Sequence, residues 1–174
     1  KTGVPVEFVA GSMNSTLEQV KQGIVDAHIG YPESDDLSSG LKRAWHLHTQ
    51  NSRLFLKGQV VDSPALLDGK RLGIFPSSPY ITELKQALPK VQLKYFDSLD
   101  AMVNAADRGD ISGFVSPSAW TQHYLLTHGL WAGYQQAKAL QFSSDIYVLT
   151  RRQDHGLTQR LSAGFNLLTR DELA

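Results

Sequence analysis

Cysteine is absent from all 174 residues. That excludes disulfides, thiol chemistry and cysteine-ligated zinc, and it fits an oxidising compartment. An excess of charge is absent too, because 17 Lys and Arg stand against 17 Asp and Glu. A zero balance leaves no electrostatic reason to expect nucleic acid or an anionic membrane as partner. No apolar run approaches the length of a membrane span, and no signal peptide is visible. There is no G-x-S-x-G, no Walker loop and no complete metal-site motif. Hydrophobic residues make up 41% and charged residues 20%, a mix that supports a real core. The length permits one ordinary domain or two small lobes.

What the chain does have is one phrase written twice. VEFVAGSMNSTLEQVKQGIVDAHIGYP runs near the start, and VQLKYFDSLDAMVNAADRGDISGFVSPS runs in the middle. Each reads as an extended apolar stretch, a polar turn, an amphipathic helix stopped by glycine (Gly23, Gly109) and a short buried strand. In the first copy the strand covers residues 6–10, Ser15 is the expected N-cap with Glu18 at the capping-box position, and residues 26–29 form the second strand. In the second copy the strand covers 91–96, Ser98 caps the helix, and 112–115 form the short strand. Two units of one design predict two α/β lobes.

The remaining segments join these lobes. Residues 31–40 (YPESDDLSSG) read as a polar loop. Residues 41–57 read as two extended runs broken at Gln50 and Asn51. Residues 58–69 are the expected crossing between lobes, and 71–75 the next strand. Ser78 followed by Pro79 predicts a helix start that continues to Pro89. Pro117 opens another helix, 137–142 and 145–150 are strands returning to the first lobe, and 156–169 is the last helix. The expected partition is therefore 1–58 with 144–174 as lobe 1, and 59–143 as lobe 2. Two crossings give a two-strand hinge, and an inter-lobe cleft is where a small molecule is expected.

Three phrases, LEQVKQGIVDAHI, LLDGKRLGIFPSSPY and SLDAMVNAADRGDISGFV, resemble the bacterial extracellular solute-binding proteins of family 3 in order and spacing. The family often writes the second as L-x-G-K-x-V-G-V followed by Gly-Ser/Thr. The resemblance covers nearly the whole chain. It implies the type II periplasmic binding fold: α/β, two-lobed, with mixed sheets flanked by helices and a two-strand hinge. It also implies a periplasmic or extracytoplasmic Venus-flytrap receptor, free or serving as the sensor of a membrane signalling protein. A typical member has a further strand and helix before the residue-6 strand and continues past the final helix, so the sequence is expected to be clipped at both ends.

Residue by residue, the resemblance places Ser77, Ser78 and Tyr80 at the ligand. A helix start with free amides and two hydroxyls suits a carboxylate, although Ser78 as a simple helix cap explains the same residues. Tyr31 and Ser116 lie just beyond the two repeated strands, where an open α/β sheet faces its crevice. For Tyr31 the alternative is packing on its own lobe; for Ser116 and Ser118 it is capping. Amino-acid binders of the family grip the α-carboxylate with an arginine after the polar loop, and Arg43 is the arginine nearest that position. The same binders hold the α-amino group with an aspartate where Ser116 and Pro117 stand here, a departure that argues against an ordinary α-amino acid. His48 and Thr49 fall on the family's Phe-Ser-x-Pro-Tyr pocket stretch, without that motif. His46 and His48 share one strand face and have metal-ligand spacing, but no third ligand is apparent and a polar strand face explains them. Trp120 with Tyr124 reads as a packing pair, and Trp131 as a loop residue.

Three functions compete. The first is a solute receptor without chemistry, with a small, carboxylate-bearing ligand and a membrane permease or fused membrane signalling domains as partners. The second is a dehydratase-like enzyme on the same fold, for which Glu33, Asp35 and Asp36 are the acidic residues near the expected cleft. The third is an interaction module with a vestigial cleft, including a homodimer paired through an exposed sheet edge.

Overall fold

A computed structural model describes residues 3–32, 40–58 and 64–169. The chain divides into two compact units, one of Lys1–His48 with Asp145–Ala174 and the other of Thr49–Ser144. The passages between them fall inside β2 (Leu41–Lys57) and β6 (Tyr134–Arg151). The expected crossing over 58–69 lies partly outside the described residues.

In the first unit, α1 (Met13–Gln22) begins one turn earlier than the sequence suggests. Ser12, not Ser15, is the N-cap, and its hydroxyl accepts from the Ser15 amide at 3.3 Å. Ser15 sits in the first turn and donates its own hydroxyl to the Ser12 carbonyl at 2.9 Å. Glu18 therefore has no cap to close and pairs with Lys21. Gly23 ends the helix at φ 76°, and its amide donates to the Gln19 and Val20 carbonyls, as a left-handed stop requires. β1 (Ala27–Pro32) then pairs antiparallel with β6, from Ala27 opposite Thr150 to Pro32 opposite Ile146, with a bulge between Ile29 and Tyr31. The small core joins Val20, Leu41 and Leu149. Trp45 of β2 stacks on Phe165 of α5 (His155–Asn166) at 5.4 Å. Arg151 ties the unit together, donating to the carbonyls of Val20 (3.1 Å) and Val25 (3.0 Å) and pairing with Asp26 and Asp154.

The strand expected at residues 6–10 does not form. Among the described residues no strand offers it a ladder, and Val4, Val6, Phe8 and Val9 are exposed, Phe8 at 83%. An alternating apolar pattern makes a strand only where a partner supplies the backbone hydrogen bonds.

The second unit contains β3 (Arg71–Ile74), α2 (Ile81–Ala87), β4 (Gln92–Tyr95), α3 (Leu99–Asp107), β5 (Gly113–Pro117) and α4 (Ser118–Thr127). β3 runs parallel to both β4 and β5, while β5 runs antiparallel to β2. β2 is continuous through Gln50 and Asn51, where a break was expected. Asn51 satisfies its side-chain carbonyl across the strands, accepting from Ser143 at 2.9 Å and Gln141 at 3.3 Å. Ser98 caps α3 as expected, accepting from the Ala101 amide at 3.1 Å.

Strand alternation splits this unit's core in two. Leu54, Leu56, Leu72, Ile74 and Val115 pack with Tyr80, Leu84 and Leu88. Phe55 and Phe114 pack with Leu99, Met102, Val103, Leu125 and Tyr134. The register between β2 and β5 sets Leu56 opposite Gly113 and Phe55 opposite Phe114. A Cβ at Gly113 would lie 2.2 Å from the Phe55 carbonyl oxygen. Gly113→Ala is therefore expected to lower stability by about 1–3 kcal/mol, the range for overpacking a close-packed interior. Chemical denaturation checks this, and an unchanged midpoint would show that the two backbones separate freely.

Candidate ligand-binding surface

Parallel strands collect their loops at their carboxyl ends, and ligands of open α/β sheets bind there. In the second unit the relevant segments follow β3 (residues 75–80) and β5 (116–121). The peptide after β3 closes a turn, with the Ser78 amide donating to the Phe75 carbonyl at 3.1 Å. Phe75 stacks on Trp120 of α4, with ring centroids 5.7 Å apart and planes 18° apart. Trp120 is 49% exposed. One turn along, Ser116 and Thr121 share a hydroxyl–hydroxyl bond of 2.6 Å in full burial. The neighbouring Ser118 hydroxyl oxygen is buried without a partner.

The sequence candidates fare unequally here. Ser78 does not cap a helix. α2 starts at Ile81, its N-cap is Tyr80, and no side chain caps it. The cause is tertiary. Tyr80 is buried and stacks on Phe142 at 5.0 Å, which holds Pro79 and Tyr80 in a turn before the helix can begin. Burial pushes the Tyr80 hydroxyl pKa up, and hydrogen bonds from Ser52 and Ser78 offset part of that rise. Tyr80 is thus a core anchor, while Ser77 stays exposed in the turn. Ser116 neither caps α4 nor faces solvent, since Pro117 is the N-cap and Ser116 bonds Thr121. Trp120 packs on Phe75 rather than on Tyr124, which stacks on His128 at 4.1 Å.

In the first unit Tyr31 is half-buried against the Val20–Leu41–Leu149 core and meets His28 edge-on at 6.2 Å. Arg43 is exposed on β2, with its guanidinium 5.2 Å from the Tyr147 ring centre. His46 reaches Asp145 at 3.1 Å. His48 and Thr49 are exposed, His48 in the first unit and Thr49 in the second. His28 lies against the Thr16 hydroxyl at 2.9 Å, and burial lowers its pKa. Glu33, Asp35 and Asp36 lie outside the described residues. Among the described residues, no group of three or more His, Asp or Glu side chains is gathered to hold a metal ion.

Sequence reasoning missed two features. One is the Phe75–Trp120 stack. Its signal is that both residues sit at or just past the ends of strands that prove to be parallel neighbours, a pairing invisible locally. The other is a knot at the opposite end of β2. Lys57 binds Asp107 and lies 4.7 Å from the Tyr134 ring centre, and the Tyr134 hydroxyl donates to Asp107 at 2.8 Å. Burial and the Asp107 bond push the Tyr134 pKa up. Nearby, Tyr124 donates to Asp100 at 2.7 Å, a bond that leads the rise of its pKa to about 12. These shifted groups owe their shifts to one another and to burial, which gives them a structural role.

Against known proteins, no family model matches the chain and no curated protein sequence does either. Solved structures do match. The Bordetella pertussis BvgS periplasmic VFT2 domain aligns with TM-score 0.79 and 17% identity, over 95% of this chain and 71% of that one. The amino acid ABC transporter substrate-binding protein AbpA from Streptococcus pneumoniae, solved bound to L-arginine, gives 0.80 and 18%, over 98% and 74%. The GluR0 ligand-binding core complexed with L-glutamate gives 0.76 and 13%, over 93% and 75%. The fold is that of the two-lobed Venus-flytrap binding and sensor domains. It is the type II periplasmic binding fold that the sequence resemblance implied.

Asp107 gives the Lys57–Asp107–Tyr134 knot a pH test. Burial raises its pKa, but bonds from Lys57 and Tyr134 and the Lys57 charge outweigh that, leaving the pKa below the ordinary carboxylate value of 3.8. A carboxyl depressed on folding contributes stability above its unfolded pKa and loses it as pH falls through the folded one. Asp107→Asn is expected to melt below the unsubstituted chain at about pH 7, and the gap is expected to close below about pH 4. Melting curves across that range check it, and a gap independent of pH would remove the charge from the account.

Proposed function

We propose that the chain is an extracytoplasmic solute-binding module, a receptor or sensor without turnover, that takes a small polar ligand. The observation that carries this reading is the fold match across 93–98% of the chain to binding and sensor domains. The periplasmic setting is proposed by analogy with the BvgS periplasmic domain. A carboxylate on the ligand is the finer reading. Its first support, a helix start at Ser78, is removed by the structure. What supports it now is that two neighbours were solved with L-arginine and L-glutamate, both α-carboxylates. A permease or a fused signalling domain is the partner that would read the bound state.

Ligand that binds only the native state must stabilise it. A thermal-shift panel of amino acids, small carboxylates and polyamines is expected to contain a solute that raises the melting temperature. The shift is about 5–10 °C at a hundredfold excess over Kd. A panel with no shift at millimolar solute would sink this reading and favour an interaction module. Product formed from prephenate would turn the proposal towards enzyme chemistry.

A further inference from the structure

The indole of Trp120 is fixed but left open. It is set on the first turn of α4, directly past β5, and rests on Phe75, which directly follows β3. β3 and β5 are parallel neighbours, with Gly73 opposite Phe114, so the two rings are carried by adjacent strand ends of one ladder. Trp120 is nevertheless 49% exposed as a residue. Large aromatic area held rigid and wet at the carboxyl ends of parallel strands is poorly explained by packing alone.

The surrounding side chains narrow the chemistry. Residues 75–80 (FPSSPY) and 116–121 (SPSAWT) carry no Asp, Glu, Lys, Arg or His. Among their hydroxyls, Ser116 holds Thr121 and Tyr80 is buried with Ser52 and Ser78, while Ser118 is buried without a partner and Ser77 is exposed. These two segments therefore offer a π face and no charged side chain of their own; the nearest cation in the ladder is Arg53, opposite Ser116.

We infer that this surface is a subsite for a flat, π-bearing group of the ligand, stacked on the open face of Trp120. The inference rests on the solute-binding reading and specifies it. A planar aromatic ring stacks on indole in offset fashion, and a guanidinium does the same by cation–π attraction. A saturated ring or an ammonium chain of equal charge lacks the flat face.

Two matched pairs of probes test it by calorimetric titration of the full chain: benzoate against cyclohexanecarboxylate, and L-arginine against L-lysine. The first pair isolates an aromatic ring, the second a guanidinium. The flat member of at least one pair is expected to bind about threefold to tenfold more tightly. Trp120→Leu is expected to erase that preference, and Trp120→Phe to keep part of it. Saturation transfer from the Trp120 indole to the flat probe in the unsubstituted protein reads the same contact without a variant. Equal binding within both pairs, a preference that survives Trp120→Leu, or no transfer overturns the subsite. If solutes bind independently of Trp120, solute binding stands and the subsite falls. If neither these probes nor the thermal panel binds, both fall.

Discussion

The second unit depends on a close approach of two backbones at Gly113. The missing side chain there lets β5 lie against Phe55 of β2, and that contact fixes the register of the pair. A strand has two faces, so a slip of one residue exchanges them. Here both faces are buried and each is matched to a different set of helices. Leu54, Leu56 and Val115 meet the α2 side; Phe55 and Phe114 meet α3 and α4. Because β3 is aligned on β5, the same register sets where Phe75 and Trp120 emerge.

Short-range chemistry was readable from the sequence. Gly23 as a left-handed stop and Ser98 as a cap were both placed correctly, since each depends on residues within one helical turn. One local reading failed, since Ser12 rather than Ser15 caps α1, and the other errors arose where distant residues decide. Ser78–Pro79 has every local mark of a helix start, yet the burial of Tyr80 on Phe142, sixty-odd residues along the chain, sets the turn instead. Gln50 and Asn51 look like a break, yet Asn51 is satisfied by Gln141 and Ser143 and the strand continues. Residues 6–10 have strand periodicity but no ladder among the described residues.

The candidate surface follows the same division. The ends of β3 and β5, which carry it, were legible from the turn residues that follow them. Its chemistry was not. Trp120 and Tyr124 sit four residues apart and satisfy the helical rule for a pair. The actual partners, Phe75 and His128, win because the parallel β3–β5 ladder brings Phe75 alongside α4 and because His128 closes the helix end. The two-lobe pattern, by contrast, came through the repeated phrase, and fold comparison reaches the same architecture at 12–18% identity.

The discontinuity of the first unit has a consequence for biosynthesis. Thr49–Ser144 is one uninterrupted stretch and has every contact of its two apolar clusters in hand once translation passes β6's midpoint. The other unit must wait. Arg151 engages the carbonyls of Val20 and Val25 from 131 and 126 positions downstream, and Leu149 completes a core begun at Val20. The segment before Thr49 therefore cannot complete its apolar core until residues 149–151 have been synthesised, which makes it the natural client for a holding chaperone.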